Sequence, residues 1–316
     1  MEKRKLGRSG LEIAPLVFGG NVFGWTADET TSFQMLDRFT EAGLDAIDTA
    51  DAYSRWVPGH KGGESETIIG KWLAADASRR DRITLITKVG VDLGPDKKGL
   101  SARRIAAAVE DSLRRLQTDH IDLYLSHYPD PETPIEETLG AYEKLLKAGK
   151  VRAIGCSNYD KSQLRAALDA SASGLPRYTV LQPEYNLLDR EGFESTYRDL
   201  CIAEDLGVIT YYSLASGFLS GKYRSADDLA NRVRGSRVEK YLNPRGMRVL
   251  AALDAVAADT GAKPAEIALA WAMAQPGVTA PIASATSVEQ VDSLVRSVDL
   301  KLSAEQLRAL NEASQP

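Results

Sequence analysis

Short apolar runs alternate with longer amphipathic stretches along the whole chain. The runs lack strict alternation of apolar and polar residues, which is typical of strands buried on both faces of a parallel sheet. Eight strand-then-helix units in one chain favour a closed (β/α)8 barrel, the TIM barrel, over an open doubly wound sheet. The strands are expected at residues 14–20, 44–48, 83–88, 121–127, 151–157, 178–184, 208–213 and 278–283.

The amphipathic stretches carry helix start and stop signals. Ser101 and Thr133 are expected to be the N-caps of the helices that follow them. A glycine follows four of the stretches, as is typical of helix C-termini: Gly43, Gly149, Gly207 and Gly261. The helices are expected at residues 30–43, 65–75, 101–117, 134–149, 161–171, 193–207, 243–261 and 287–298.

Three segments stand outside this repeat. Residues 3–14 indicate a β-hairpin, turning at residues 8–10, that closes the bottom of the barrel. Polar segments at 54–64 and 224–243 form long loops after the second and seventh strands. Barrel enzymes build their sites from loops at that end of the strands. No linker divides the chain, so residues 1–316 are expected to form a single domain.

Composition and charge narrow the class of protein. With 316 residues, 43% of them hydrophobic, the chain can bury a sizeable core. The net charge is −5 and basic residues are scattered among acids, so nucleic acid is not an expected partner. The chain has neither a signal-peptide pattern nor an apolar run near the about 18–20 residues that span a bilayer, so we expect a cytoplasmic protein without a membrane partner. Cys156 and Cys201 lack CxxC spacing, so neither a disulfide nor a zinc site is expected.

Four side chains of complementary chemistry stand at or near three consecutive strand ends. Asp48 ends the second strand, Lys88 the third and His127 the fourth, and Tyr53 follows Asp48 by one loop turn. A closed barrel brings these ends to a common mouth. The Lys88 ammonium is expected to lower the pKa of the Tyr53 phenol and make it a competent proton donor. Asp48 would hold Lys88 in place, and His127 would hydrogen-bond the same substrate oxygen.

This group of residues contains no nucleophile, since no Ser-His-Asp or Cys-His pair accompanies it. The pocket is therefore suited to protonating a carbonyl oxygen while another group attacks the carbon. A lysine or an acid at one strand end is often only a structural ion pair, and a metal held by Asp48 and His127 would need a third ligand. All four residue types at three consecutive strand ends favour catalysis, and no metal is expected.

The sequence resembles the aldo-keto reductase superfamily along nearly its whole length. Its bacterial branch related to potassium-channel beta subunits is the most similar, through "QPEYNLLDR" (182–190) and "SGFLSGKY" (216–223). Other matching segments are "IDTADAYS" (47–54), "GGESETIIGKWL" (62–73), "ITKVG" (86–90), "SLRRLQTDHIDLYLSHYPDP" (112–131) and "GKVRAIGCSNY" (149–159). The resemblance implies that Asp48, Tyr53, Lys88 and His127 form the catalytic tetrad of the family. It also implies that the attacking hydride comes from NADPH, bound without a Rossmann fold.

The resemblance further implies a set of cofactor contacts. Ser157, Asn158 and Gln182 match the residues that hydrogen-bond the nicotinamide carboxamide, and Tyr211 matches the aromatic that stacks on its ring. The loop after the seventh strand is expected to lie over the pyrophosphate. The remaining expected contacts are Gly20, Asn21, Ser213, Leu214, Ser216, Gly217, Leu219, Ser284, Thr286 and Gln290.

The adenosine end of this set departs from the family pattern. Lys222 and Arg232 are expected to contact the 2′-phosphate, which favours NADPH. Gln290 matches the family, but Ser293 and Leu294 replace the acid-asparagine pair that usually holds the adenine. NADH is therefore kept as a less favoured alternative cofactor.

Reduction of an aldehyde or ketone by NADPH is the leading function, with Phe23, Trp25, Trp56 and Tyr128 as the expected substrate wall. Each of these aromatics is also a candidate for plain packing, and the pattern does not specify the substrate or the oligomeric state. One alternative is a cofactor-sensing regulatory protein with slow turnover. Another is a barrel lyase in which Lys88 forms a Schiff base, although the neighbouring acid should keep that amine protonated.

Overall fold

A closed parallel barrel preceded by a small hairpin is the architecture of this protein, in a computed structural model that describes residues 2–229 and 235–315. The prediction of a (β/α)8 barrel with an N-terminal hairpin is confirmed. The hairpin strands are β1 (Arg4–Lys5) and β2 (Glu12–Ile13). The barrel strands are β3 (Val17–Gly19), β4 (Ala46–Asp48), β5 (Thr84–Val89), β6 (Ile121–Ser126), β7 (Val151–Ser157), β8 (Val180–Gln182), β9 (Gly207–Thr210) and β10 (Ala280–Ala283). The barrel closes because β10 pairs in parallel with both β3 and β9.

Helices surround this barrel and connect its strands. They are α1 (Glu29–Glu41), α2 (Glu64–Ala74), α3 (Ala102–Leu116), α4 (Ile135–Lys147), α5 (Lys161–Ser171), α6 (Glu191–Thr196), α7 (Arg198–Ala203), α8 (Gly235–Val238), α9 (Pro244–Thr260), α10 (Pro264–Met273), α11 (Val288–Asp299) and α12 (Ala304–Ala313). Short 3-10 helices occupy Gly20–Val22, Ala77–Arg82, Ala215–Ser220, Ala226–Leu229 and Glu239–Tyr241. No helix within the two described ranges is long and apolar enough to cross a membrane.

Two long helices, α10 and α12, were not expected from the sequence pattern, and the four-residue α8 lies in the segment expected to be a loop. Helix α10 is buried from Glu266 to Met273 and packs between α9 and α11, so it is apolar on nearly every side. A helix without a polar face gives no amphipathic signal. Helix α12 packs on α9, and its Asn311 side chain accepts a hydrogen bond from the Trp271 indole at 2.9 Å.

The predicted helix ends are partly right. The Ser101 hydroxyl caps α3 by accepting from the Arg104 amide at 3.3 Å. Thr133 is not a cap, because α4 begins at Ile135 and the Thr133 hydroxyl donates to the Asp130 carboxylate at 2.7 Å. Gly43, Gly149 and Gly261 have the positive φ of helix-terminating glycines.

Gly207 has a different role from the predicted helix stop, because it is the first residue of β9. A β-carbon on Gly207 would lie 2.7 Å from the backbone of Leu6, so the glycine lets the hairpin reach the barrel. Leu6 and Ile13 are fully buried and pack with the barrel interior, where Val17 and Ile86 point inward. The hairpin therefore closes the bottom of the barrel, as predicted, and the strands' carboxyl ends form the other mouth.

Candidate active site

The carboxyl ends of β4, β5 and β6 bring the four predicted catalytic residues into one group. Asp48 and Lys88 are strand residues, and both are buried. His127 follows β6 directly, and its amide donates to the Val89 carbonyl at 2.8 Å. Tyr53 is half-buried in the loop after β4. The short strands thus fix the backbone on which these side chains stand.

Lys88 is the centre of the group. Its ammonium donates to the Asp48 Oδ2 at 2.7 Å, to the Thr49 carbonyl at 2.8 Å and to the Tyr53 hydroxyl at 2.9 Å. These three bonds use all three of its N–H groups. Burial lowers the pKa of Lys88, and the Asp48 carboxylate opposes this shift. A fully buried amine with three acceptors is poorly placed to attack a substrate, which argues against the Schiff-base alternative.

Both oxygens of the Asp48 carboxylate accept hydrogen bonds. Its Oδ2 accepts from Lys88 and from the Tyr53 hydroxyl, the latter at 3.1 Å. Its Oδ1 accepts from the Gln182 side-chain amide at 2.9 Å, reached from the end of β8 across the barrel. Gln182 was expected to contact the cofactor. Gln182 does line the cleft, and its side-chain nitrogen also holds the Asp48 carboxylate in position.

The pKa of the Tyr53 phenol is shifted in the direction opposite to the one expected from the sequence. Burial, and then the adjacent Asp48 carboxylate, raise the pKa of the Tyr53 phenol well above its ordinary value, whereas Lys88 was expected to lower it. The hydroxyl donates to a carboxylate, and this bond favours the neutral phenol. The resting residue therefore carries the proton that a general acid must deliver, and Lys88 lies in position to stabilise the phenolate left behind.

His127 completes this group as a neutral imidazole. Burial, followed by the positive charges of Lys88 and Arg55, lowers the pKa of His127 well below its usual value. Its ring centroid lies 6.0 Å from that of Tyr53. Among the described residues no partner reaches the buried His127 Nδ1. A neutral ring has one N–H, which suits donation to an uncharged carbonyl oxygen.

The four residues stand at one end of a cleft of about 960 Å³, near the upper end of the range usual for ligand sites. Tyr53, His127 and Asp48 line it, whereas Lys88 lies beneath the surface. Trp56 and Tyr128 of the expected substrate wall also line it. The cleft extends from there to the first turn of α11. The expected cofactor residues that line it are Asn21, Asn158, Gln182, Tyr211, Ser213, Leu214, Ser216, Gly217, Lys222, Ser284, Thr286 and Gln290.

Two expected substrate-wall residues do not line the cleft. Phe23 is fully buried and stacks on Phe18 with 5.4 Å between ring centroids, so it belongs to the core. Trp25 packs edge-on against Trp56 at 5.5 Å and supports that ring from behind. Aromatic side chains fill large volumes, so packing often decides their position.

Three expected cofactor residues also lie off the cleft, and one is outside the described residues. Gly20 is buried, and a β-carbon there would approach the Asp48 carbonyl to 3.0 Å. The Ser157 hydroxyl is buried and donates to the Gln182 carbonyl at 2.8 Å. Leu219 is a core side chain. The expected 2′-phosphate contact Arg232 lies outside the described residues.

A hydrogen-bond network fixes the wall next to His127. Asn158, which has a left-handed backbone with φ 59°, donates to the His127 carbonyl at 2.8 Å. Its side-chain oxygen accepts from the Tyr211 hydroxyl, also at 2.8 Å. The Tyr211 ring and the Asn158 amide therefore face the cleft in a fixed arrangement, next to the candidate proton donor.

The comparisons with known proteins agree with this geometry. A family model for the aldo/keto reductase family matches residues 15–315. The chain belongs to the aldo/keto reductase family. It is an oxidoreductase, and its family binds NAD(P)H and acts on carbonyl compounds.

Similar members of the family come from bacteria and plants. The chain is 37% identical over 322 residues to an uncharacterized oxidoreductase, YrpG, of Bacillus subtilis, covering 99% of this chain and 95% of that one. It is 34% identical over 329 residues to the aldo-keto reductase YhdN of the same species, covering 98% and 93%. A probable voltage-gated potassium channel subunit beta of rice is 32% identical over 308 residues, covering 95% and 92%. The predicted kinship with the channel-subunit branch is thereby confirmed.

The cleft of this aldo/keto reductase fits the cofactor class of its family. A planar ring can lie against Tyr211 near the Asn158 amide. Gly217, at φ 100°, brings backbone close to the Lys222 ammonium, since an added β-carbon would lie 3.6 Å from that nitrogen. Lys263 and Arg237 add two further cations to the lining. An aromatic ring and an amide beside the catalytic residues, with cations in the lining of the same cleft, suit a nicotinamide dinucleotide.

Several lining residues of this aldo/keto reductase had no signal in the sequence. Lys263 stands directly before α10, which was not expected, and Arg237 lies in the short helix α8. Arg55 stands in the predicted loop after β4, but nothing distinguished it from other surface arginines. Ser293 and Leu294, which replace the family's acid-asparagine pair, were placed at the adenosine end from the sequence, and both line the cleft; the Ser293 hydroxyl donates to the Glu266 carboxylate at 2.7 Å.

Proposed function

We propose that this protein reduces an aldehyde or ketone to an alcohol with NADPH, and that Tyr53 gives the proton to the carbonyl oxygen. The observation that carries the proposal is the hydrogen-bonded chain of Asp48, Lys88 and Tyr53, in which the acid and the lysine are buried and the half-buried Tyr53 lines the cleft. A proton donor must meet substrate, while the groups that tune it need not.

The residues of the chain have distinct roles in this proposal. A carbonyl oxygen in the cleft takes a hydrogen bond from Tyr53 and a second from neutral His127, which together stabilise the negative charge that develops on that oxygen. The Tyr53 hydroxyl turns from Asp48 to the substrate and releases its proton. Lys88 then stabilises the phenolate through its 2.9 Å hydrogen bond. When bound, NADPH supplies the hydride that the protein side chains cannot provide.

The preference for NADPH rests on the cations of the cleft. Lys222, Lys263 and Arg237 line it, and a 2′-phosphate is the group that distinguishes the two nicotinamide cofactors. We expect Lys222→Gln to weaken NADPH binding about tenfold or more and leave NADH binding unchanged. Lys61→Gln, at a residue exposed on the loop after β4 and absent from the cleft lining, is the matched control. Equal losses for both cofactors in Lys222→Gln would contradict this role.

A steady-state assay tests the proposed reaction itself. The rate of NADPH oxidation is followed with benzaldehyde and with aliphatic aldehydes and ketones as substrates. Continuous turnover, with stoichiometric formation of the alcohol, is the expected result. Tight binding of NADPH with no turnover on any of these carbonyls would instead support the regulatory alternative, to which the similarity to a probable channel subunit gives some weight.

A further inference from the structure

Arg55 is a cation placed at the substrate end of the cleft. It stands two residues after Tyr53 and next to Trp56 in the loop after β4, and all three residues line the cleft. The Arg55 side chain is exposed, so the guanidinium meets the solvent that fills the mouth. An arginine at this position is therefore in contact with whatever enters beside the proton donor.

The hydrogen bonding of Arg55 leaves its charge without a carboxylate. One guanidinium nitrogen donates to the Asp92 backbone carbonyl in the loop after β5. Within the described residues, no Asp or Glu carboxylate forms an ion pair with it. A guanidinium has five N–H donors, so several are available for a second acceptor. The bond to the carbonyl ties the side chain to the loop after β5 and brings no negative charge to the guanidinium.

The positive charge of Arg55 acts on His127, one of the candidate catalytic residues. It is one of the two positive charges that help to lower the pKa of His127, the other being Lys88. The Lys88 ammonium is paired with the Asp48 carboxylate at 2.7 Å, whereas no carboxylate in the described part of the chain pairs with the Arg55 guanidinium. The lining beside Tyr53 and His127 therefore contains an arginine for which the described residues offer no carboxylate partner, and such a cation attracts anionic ligands.

We propose that Arg55 makes this reductase selective for carbonyl compounds that carry a carboxylate or a phosphate group. The inference rests on the proposed function and names its substrate class. The anion pairs with the free edge of the guanidinium, while the carbonyl oxygen meets Tyr53 and His127. Trp56 and Tyr128, which are 43% and 49% exposed on the cleft wall, offer aromatic faces to the part of the substrate between these two ends. This favours a planar, apolar spacer such as an aromatic ring.

A purely structural role for Arg55 predicts a different behaviour. The bond to the Asp92 carbonyl joins the loops after β4 and β5, and its loss would disturb the position of Tyr53 for every substrate alike. A selectivity role changes the ratio between anionic and neutral substrates instead. The two roles are therefore separated by matched substrate pairs.

The test compares para-carboxybenzaldehyde with its methyl ester, and para-formylphenyl phosphate with benzaldehyde. Each is assayed for kcat/KM with NADPH. We expect the wild-type enzyme to prefer each anionic aldehyde by about tenfold or more, as a charge-assisted hydrogen bond allows. The preference should shrink with added salt, because the cation is exposed. A larger gain for the phosphate would identify phosphorylated carbonyls as the substrate, and a larger gain for the carboxylate would identify keto or aldehyde acids.

Arg55→Gln provides the decisive variant, because it removes the charge and keeps an unbranched polar side chain at this exposed position. The variant is expected to lose the preference for both anions while kcat/KM for the ester and for benzaldehyde stays within about twofold. Lys61→Gln removes a charge from the same loop outside the cleft and should keep the preference. Equal kcat/KM for the members of each pair in the wild type would overturn the inference. So would equal losses for all four aldehydes in Arg55→Gln.

The outcomes for the two proposals are distinguishable. If benzaldehyde is reduced in a Tyr53-dependent reaction but no anion preference exists, the reductase proposal stands and the Arg55 inference fails. If none of the four aldehydes is reduced, both fail.

Discussion

The Lys88 ammonium lies 2.9 Å from the Tyr53 hydroxyl and shares its remaining N–H groups between the Asp48 carboxylate and the Thr49 carbonyl. The phenol is thereby joined to a buried cation and a buried anion at once. In the resting protein the anion is hydrogen-bonded to the phenol and keeps it protonated. Once the proton has left, the cation stabilises the phenolate. One lysine can therefore serve both states without moving.

Replacing this lysine should separate catalysis from folding. Lys88→Met removes the cation but keeps an unbranched apolar side chain in a fully buried position. We expect kcat to fall at least about 100-fold, since the phenolate loses its stabilising partner. We also expect the free energy of unfolding to fall by about 3–5 kcal/mol, because the Asp48 charge stays buried without its partner. Chemical denaturation and steady-state kinetics measure the two effects.

The double variant Asp48→Asn with Lys88→Met is the control for that experiment. Removing both charges should recover most of the lost free energy of unfolding, because no unpaired charge stays buried. It should recover none of the lost turnover. Recovery of turnover together with stability would mean that Lys88 acts only through the fold.

The pH dependence of activity tests the neutral state of His127. The pKa of this buried imidazole lies well below its usual value of 6.5, so the ring is neutral throughout the physiological range. We therefore expect kcat/KM to show no inflection from this residue between about pH 6 and pH 8. A pH profile of wild type and of His127→Gln checks this. An inflection in the wild type within that range that disappears in the variant would show that the ring titrates there.

Asp51 should make the protein less stable as the pH rises through neutrality. It is buried beneath the active site and paired with Arg104 at 2.7 Å, and burial and the nearby Glu66 raise the pKa of Asp51 to about 7. Because this folded-state pKa exceeds the unfolded value, the folded protein holds the proton more tightly. The resulting stabilisation is complete below about pH 4 and is lost as the pH rises through about 7. Between about pH 5 and pH 7 the loss from this group is about 2 kcal/mol.

Urea denaturation at several pH values measures this effect, with Asp51→Asn as the reference. The asparagine keeps an oxygen for Arg104 but cannot titrate. The difference in free energy of unfolding between the two proteins should change across this pH range. A constant difference would show that Asp51 has the same protonation in the folded and unfolded chain.

The contact between hairpin and barrel predicts that a methyl group added at Gly207 and one added at Gly140 change the free energy of unfolding in opposite directions. In Gly207→Ala the new β-carbon would lie 2.7 Å from the Leu6 backbone, so the hairpin must shift, and we expect a loss of about 1–3 kcal/mol in the free energy of unfolding. At Gly140, inside α4, a β-carbon has no neighbour within 4 Å. Gly140→Ala should instead stabilise the protein by about 0.5–1 kcal/mol. Thermal or urea unfolding compares the two, and a similar effect of both substitutions would contradict the packing of the hairpin.

The sequence predicted the barrel and the grouping of Asp48, Lys88 and His127 because both follow from a short-range pattern. A parallel strand buried on both faces reads as a continuous apolar run, and a polar residue at its end must lie at the mouth. Helix α10 was not predicted from the pattern, because a helix buried on all sides has no polar face and therefore no periodic alternation of apolar and polar residues. Phe23 was misplaced for a related reason, because the pattern shows that a side chain is aromatic but not which neighbours it fills.

Properties that depend on distances between separate chain segments could not be predicted from the sequence. The direction of the Tyr53 pKa shift depends on the burial of the phenol and then on the Asp48 carboxylate beside it, and only the folded arrangement shows both. Gln182 was recognised as polar and near the mouth, but its bond to Asp48 joins residues 134 positions apart. Arg55 and Lys263 become candidate binding residues only because the folded chain places them in the lining of the cleft.

The most direct test of the account is the Tyr53→Phe variant, examined for binding and turnover together. The substitution removes one hydroxyl and leaves the ring that lies beside Trp56 and His127. Binding is measured by quenching of tryptophan fluorescence during titration with NADPH, and turnover by oxidation of NADPH in the presence of an aldehyde. The account predicts nearly unchanged affinity for NADPH and a fall in kcat of at least about 100-fold. A variant that binds NADPH and keeps the wild-type kcat would contradict the assignment of Tyr53 as the proton donor.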